Sequence, residues 1–82
     1  MPPDETGWRE EDGVLVRDLT FPDWAGALAW VNRAGEVAEA RGHHPDVLIH
    51  GYNNVRVMLS THSAGGITDA DHGLAAALDA LS

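Results

Sequence analysis

The sequence predicts an α+β fold in which a four-stranded antiparallel sheet carries its helices on one face, in the order β-β-α-β-β-α. Two pairs of short segments alternate apolar and polar residues, as half-buried antiparallel strands do. A turn signal divides each pair, Asp12-Gly13 in the first and Asn53-Asn54 in the second. Two other segments repeat apolar residues at three-and-four spacing, which is typical of amphipathic helices. We expect a flexible tail over residues 1–7 and a single domain over residues 8–82.

The first hairpin is predicted over residues 8–21. The Asp12-Gly13 signal separates a short strand over 8–11 from a longer strand over 14–21. Because side chains alternate across a strand, Val14 and Val16 should lie on one face of the sheet and Leu15 on the other.

The first helix is predicted over residues 22–41. Thr20 can cap it and Asp23 suits the positive end of the helix dipole. Gly42 then supplies the left-handed residue that ends many helices. Since glycine lowers helix stability by about 1 kcal/mol relative to alanine, Gly35 indicates a helix lying tightly on the sheet. The expected buried stripe comprises Trp24, Leu28, Val31, Gly35 and Ala38, flanked by Ala27, Trp30, Ala34 and Val37.

The second hairpin is predicted to run from Asp46 to Ser60 and to turn at Asn53-Asn54. The last helix should start at Thr68, with Asp71 at the capping-box position. We expect this helix to direct Ile67, Leu74, Leu78 and Leu81 toward the core, which should also contain Tyr52, Trp24 and Trp30.

Composition narrows the range of partners. The 82 residues carry a net charge of -8, and all five basic residues are arginines, which argues against nucleic acid or an anionic membrane as a partner. There is no cysteine, so disulfides and thiolate metal sites are excluded. No apolar run approaches the roughly 20 residues needed to span a bilayer. We expect a soluble, cytoplasmic protein whose ligand is a small molecule or another protein.

Histidines supply the candidate chemistry. His43 and His44 precede Pro45, which favours an extended geometry for His44, so the two rings should point in different directions. His62 follows the last strand, beyond the second hairpin. Histidine can act as an acid or a base near neutral pH, so a site that joins these rings would suit proton transfer.

Two other kinds of site fit the sequence less well. Zinc or nickel binding lacks support because no HxxxH or HExxH spacing places two rings on one helix face. A serine hydrolase built on Ser60 or Ser63 would lack any nucleophile-elbow pattern.

The segments AEARGHHPD, YNNVRVMLSTH, GGITDAD and LAAALD together resemble the pterin-4a-carbinolamine dehydratase family. The resemblance covers the chain from about Trp8 to Leu81. It implies a four-stranded antiparallel sheet, assembly as a homodimer or tetramer, and elimination of water from 4a-hydroxytetrahydropterin to give quinonoid dihydropterin. It also implies that the reaction uses neither a metal nor an organic cofactor. The pathway partner would be an aromatic amino acid hydroxylase.

The resemblance also assigns residues. It makes His43, His44 and His62 the catalytic histidines and Asp71 the acid of the site. It places Glu39 beside the histidine pair as a supporting residue. The residues around the substrate would be His43, His44, Pro45, Thr61, His62 and Ser63. The segment VLIHGY is one residue longer than in well-known members, which leaves His50 without a role. Many members also carry a helix before the tryptophan that matches Trp8. The alternative function is a non-enzymatic pterin-binding, dimerisation or regulatory module.

Overall fold

A computed structural model describes residues 7–81 and confirms the predicted α+β fold. The expected tail lies outside the described residues except for Gly7. The elements are β1 (Arg9–Glu11), β2 (Val14–Thr20), α1 (Trp24–Arg41), β3 (Asp46–His50), β4 (Asn54–Leu59), a short 3₁₀ helix (His62–Ala64) and α2 (Asp69–Asp79). Both α-helices pack on the same face of the sheet.

The sheet has the strand order β1-β2-β4-β3, and all neighbouring strands are antiparallel. The first hairpin turns at Asp12 and Gly13 as predicted, with φ of 52° and 77°. Positive φ at both positions suits a two-residue hairpin loop. The two central strands, β2 and β4, pair from Leu15 opposite Leu59 to Thr20 opposite Asn54. This register places the end of β4 beside the first hairpin turn.

The second hairpin differs from its prediction. β3 ends at His50, and the loop covers 51–53, with φ of 56° at Gly51 and 58° at Tyr52. Asn54 is already part of β4, so the turn at Asn53-Asn54 was predicted too late. Gly51 accepts positive φ without steric cost. Tyr52 is consequently 62% exposed, and the expectation that it belongs to the core was wrong.

Helix α1 buries one edge of the expected stripe and the flank beside it, so Ala38 and Trp30 are buried as predicted. Its buried residues are Ala27, Trp30, Ala34 and Ala38. Trp24 is 49% exposed and Leu28 is 36% exposed, so their prediction as core residues was wrong. Gly35 is also exposed, with open space around its Cα, and makes no tight contact with the sheet. Alanines bring a helix close to a sheet while contributing little to an apolar pattern, so the larger side chains dominated the sequence signal.

The cap of α1 is also shifted. Asp23 accepts a hydrogen bond from the Gly26 N–H at 2.7 Å and is the N-cap residue. Thr20 instead ends β2, where its hydroxyl donates to the Asn54 side chain at 3.0 Å. The helix therefore begins at Trp24, two residues later than predicted.

The core lies between the helices and one face of the sheet. Val55, Val57 and Leu59 of β4 are fully buried, and so are Leu74 and Leu78 of α2, as predicted for this helix. Ile67 and Leu81 pack against the same cluster. No helix within residues 7–81 is long and apolar enough to cross a membrane.

Candidate active site

The candidate site is built around Asp71. Among the described residues it is the one polar or charged side chain that is buried, and its exposed fraction is 0%. It occupies the third position of α2, and its Oδ2 accepts a hydrogen bond from the Thr68 N–H at 2.9 Å. This is the predicted capping box. The local sequence TDAD therefore places a carboxylate at the buried start of α2.

Both carboxylate oxygens of Asp71 have further partners from distant parts of the chain. Oδ1 lies 2.5 Å from Nε2 of His43, which follows α1. Oδ2 accepts a hydrogen bond from the Thr61 hydroxyl, at 2.8 Å, just beyond β4. The Thr61 and Thr68 hydroxyls also lie 2.8 Å apart. One buried carboxylate thus joins the end of α1, the end of β4 and the start of α2.

These contacts decide the charge of Asp71. Burial raises the pKa of a carboxyl group because it disfavours the charged form. The hydrogen bonds from His43, the Thr68 N–H and the Thr61 hydroxyl favour the charged form, and together they hold the pKa of Asp71 below its ordinary value. Asp71 is therefore an ionised carboxylate at neutral pH.

The end of α1 positions His43. Gly42 has a left-handed backbone, φ 65°, as predicted. The Gly42 N–H bonds the Glu39 carbonyl at 3.1 Å and the His43 N–H bonds the Ala38 carbonyl at 3.1 Å. These two bonds are those of a Schellman motif. They fix the backbone of His43 to the helix end, so that its ring reaches the start of α2.

His44 points elsewhere. Its Nε2 lies 2.7 Å from a Glu39 carboxylate oxygen, and both side chains are well exposed. An exposed pair of this kind contributes little to stability. The two adjacent rings therefore diverge, one toward a buried carboxylate and the other toward a solvated one.

His62 and His43 line different cavities. His62 is exposed and borders an open cavity of about 260 Å³, together with the first hairpin turn and the loop that follows β4. Ligand pockets for drug-sized molecules measure about 300–1,000 Å³. His43 borders a second cavity of about 230 Å³ with Arg41 and Ala70. Thr61 and His62 are consecutive in the chain and both border the first cavity. The hydrogen bond from Thr61 to Asp71 therefore connects this cavity to the network of hydrogen bonds around Asp71.

The predicted site residues are thus brought together in part. The structure joins His43, Asp71 and Thr61 by direct side-chain contacts. It places Glu39 against His44, which makes no hydrogen bond to this network within residues 7–81. Pro45 is half-buried and Ser63 is exposed.

Two neighbours of the site were not assigned to it from the sequence. Thr68 was predicted only as a helix start, and its capping pattern gave no sign that its hydroxyl would meet Thr61. Arg41 was predicted only as the end of α1, yet it borders the cavity of His43. Its guanidinium lies over Gly73, where an added Cβ would be 2.7 Å from a guanidinium nitrogen.

Over the described range, no group of three or more histidine, cysteine, aspartate or glutamate side chains is arranged to hold an ion. The arrangement is instead that of a histidine paired with a carboxylate, which can take up and release protons.

Known proteins resemble this chain over most of its length. Residues 2–81 match the family described as pterin 4 alpha carbinolamine dehydratase. A Thermomicrobium roseum protein named "Putative pterin-4-alpha-carbinolamine dehydratase" is 46% identical over 76 residues, covering 93% of this chain and 81% of the relative. A Gloeobacter violaceus protein of the same name, numbered 2, is 52% identical over 71 residues, covering 84% and 76%.

Solved structures agree. A protein from Brucella melitensis, described as a transcriptional coactivator/pterin dehydratase, superposes with a TM-score of 0.84 at 34% identity, covering 92% of this chain and 81% of its own. A pterin dehydratase-like protein described as a RuBisCO assembly factor of the alpha-carboxysome has a TM-score of 0.71, covering 90% and 84%. At 24% identity, that second likeness shows the shared fold alone. On the strength of the family match and these relatives, the chain belongs to the pterin-4a-carbinolamine dehydratase family.

Proposed function

We propose that the protein is a dehydratase that removes water from 4a-hydroxytetrahydropterin and gives quinonoid dihydropterin. The observation that carries the proposal is the buried, ionised Asp71 in contact with both His43 and Thr61. Family membership supports the substrate class.

The reaction needs two proton transfers. The bond between the 4a carbon and its hydroxyl breaks, and the departing hydroxyl takes up a proton to leave as water. The lone pair of a ring nitrogen forms the new double bond, and that nitrogen loses its proton to a base. Overall the substrate loses one molecule of water and no oxidant is needed.

The histidines divide these tasks. We assign acid and base work to His43 and His62, and binding of the departing hydroxyl to His44. Because His43 and His62 border different cavities, this assignment requires one substrate to contact both cavities. Each well-placed acid or base contributes about 10²- to 10⁴-fold to the rate. In this scheme Asp71 supports His43 and Glu39 supports His44, in line with their contacts.

The test is a dehydration assay on the purified full chain with freshly generated 4a-hydroxytetrahydropterin. Wild type should exceed the spontaneous rate, and His43→Ala and His62→Ala should each remove most of the gain. His72→Ala is the matched control, because His72 is exposed on α2 and makes no side-chain hydrogen bond within residues 7–81. If wild type does not exceed the spontaneous rate, the protein is no dehydratase.

A binding module is the second candidate function. It is favoured by the outer edge of the sheet, where β3 has β4 as its one neighbouring strand among residues 7–81. Val47 and Leu48 of this strand are exposed. The solved relative from Brucella melitensis is described as a transcriptional coactivator as well as a pterin dehydratase. Pterin binding without turnover would select this function over the dehydratase.

We also propose that the working form is a cytoplasmic homodimer in the service of an aromatic amino acid hydroxylase, with a tetramer as the other symmetric form. Closed symmetry is the usual arrangement of soluble homo-oligomers. Light scattering of the purified chain distinguishes monomer, dimer and tetramer.

A further inference from the structure

The direction of each hydrogen bond at Asp71 follows from its neighbours. The Thr68 N–H belongs to the backbone and can only donate. An ionised carboxylate can only accept. The Thr61 hydroxyl must therefore donate to Asp71. The Thr68 hydroxyl then has two acceptors, the Thr61 oxygen at 2.8 Å and Oδ2 of Asp71 at 3.4 Å, and we assign its hydrogen to the shorter contact. The order of donation is Thr68 to Thr61 to Asp71.

The same rule assigns the proton on His43. A carboxylate that only accepts requires a donor at the ring nitrogen 2.5 Å from Oδ1, so Nε2 of His43 carries the hydrogen. In a neutral imidazole with a hydrogen on Nε2, the other nitrogen, Nδ1, holds the free lone pair. The base of the ring is then Nδ1.

The free nitrogen is also the accessible one. Nδ1 of His43 makes no hydrogen bond to any residue in the range 7–81. Within that range the one buried side-chain nitrogen or oxygen without a partner is Nε1 of Trp30, so the unpartnered Nδ1 reaches solvent. The His43 side chain is 19% exposed and borders the cavity shared with Arg41 and Ala70.

We propose that Asp71 is a positioning residue that holds His43 as the Nε2–H tautomer, so that Nδ1 is the atom that exchanges a proton with the substrate. Thr61 and Thr68 orient the carboxylate for this purpose. The part of the proposal that concerns substrate rests on the proposed dehydratase function. The tautomer itself does not.

The arrangement changes the role of Thr61. The family resemblance places Thr61 around the substrate, yet its hydroxyl is committed to Asp71 and Thr68. A hydroxyl has one hydrogen to donate, and Asp71 receives it. Thr61 therefore acts through Asp71 rather than as a donor to the substrate.

The first experiment reads the tautomer directly. Nitrogen NMR of the full chain labelled with ¹⁵N-histidine, recorded as the pH is raised until the ring signals stop changing, observes the neutral rings. The spectrum of His43→Gln identifies the His43 signals by their loss. Wild type should show Nε2 protonated and Nδ1 unprotonated. A hydrogen on Nδ1 would overturn the proposal.

A substitution at Asp71 should reverse the tautomer. In Asp71→Asn the backbone N–H of Thr68 can only donate, so the side-chain amide oxygen must take the position of Oδ2. The amide nitrogen then takes the position of Oδ1 and donates to Nε2 of His43. His43 then carries its hydrogen on Nδ1, and kcat should fall by about 10²-fold or more while KM changes little. Asp69→Asn removes the same charge two positions earlier, on the exposed side of α2, and should leave both tautomer and kcat unchanged. An Asn variant with an unchanged tautomer would contradict the assigned direction of these bonds.

A second pair of variants separates positioning from substrate contact. Thr61→Val keeps the shape of the side chain and removes the hydroxyl, whereas Thr61→Ser keeps the hydroxyl. Valine should lower kcat about tenfold, because one hydrogen bond to a charged group is lost, and serine should restore it. A change in KM alone would instead indicate that Thr61 binds the substrate and would overturn its positioning role.

His43→Gln tests Nδ1 itself. The Gln amide can still donate to Asp71 from the position of Nε2, but it offers nothing in place of Nδ1. The variant should keep the thermal stability of wild type and lose the same activity as His43→Ala. A His43→Gln protein that retains activity refutes the role of Nδ1. If wild type has no dehydratase activity and its spectrum shows the Nε2–H tautomer, the proposed function fails and the tautomer assignment stands.

Discussion

Replacing Asp71 by alanine should destabilise the fold by more than any single contact in the site suggests. The change removes the acceptor shared by the Thr68 N–H, the Thr61 hydroxyl and the His43 ring. It also removes a charge from a position with 0% exposure, where water cannot replace the lost oxygens without rearrangement. The Thr68 N–H is the least adaptable of the three donors because the backbone fixes it.

The expected magnitude follows from these donors. A buried donor left without a partner costs about 1–3 kcal/mol, and a lost hydrogen bond to a charged group costs about 1.5–3 kcal/mol. His43 is partly exposed and can turn its ring to solvent, which reduces the destabilisation caused by losing its contact with Asp71. We therefore expect a loss of about 3 kcal/mol in the free energy of unfolding, a large fraction of the total for a domain of this size, about 4–12 kcal/mol.

Urea unfolding followed by tryptophan fluorescence measures the loss, since Trp30 is 2% exposed in the folded core. With a slope of about 1–3 kcal/mol/M for small proteins, the midpoint should fall by about 1–3 M and the slope should not change. Asp69→Ala is the matched control and should stay within about 0.5 kcal/mol of wild type. A loss below about 1 kcal/mol for Asp71→Ala would refute the view that Asp71 holds three elements together.

Three further predictions concern pH and the two ends of the site. The stability contributed by Asp71 is complete above its unfolded pKa of about 3.9 and is lost as pH falls through its lower folded pKa. The urea midpoints of wild type and Asp71→Ala should therefore converge below about pH 4. A difference in midpoint that stays constant with pH would contradict this. Gly42→Ala places a Cβ at φ 65° and should cost about 1 kcal/mol in unfolding free energy, which the shift in urea midpoint measures. Glu39→Gln should leave the urea midpoint nearly unchanged, because its pair with His44 is exposed; a large fall would show that this pair is structural.

Local signals in the sequence predicted the elements that depend on few neighbours. Asp12-Gly13 and Gly42 have the positive φ that their residue types favour, and the spacing of Thr68 and Asp71 produced the capping box. These features need only a few consecutive residues, so sequence reasoning reached them.

Other features depend on how distant elements meet. Trp24 and Leu28 are large apolar residues of the expected stripe in α1, but they are exposed. The buried line contains three alanines and Trp30, because small residues let the helix approach the sheet. The contact between Thr61 and Asp71 depends on where β4 ends relative to α2, which no local pattern states. The family resemblance named His43 and Asp71 without indicating that one would hold the other's ring.

The double use of Asp71 limits what its presence means across the family. A relative that has given up pterin chemistry would still need an acceptor for the backbone N–H at the start of its last helix, and an aspartate there meets that need without any reaction taking place. Finding this aspartate in another member is therefore evidence for a well-formed helix start. Evidence for turnover has to come from the histidine that matches His43.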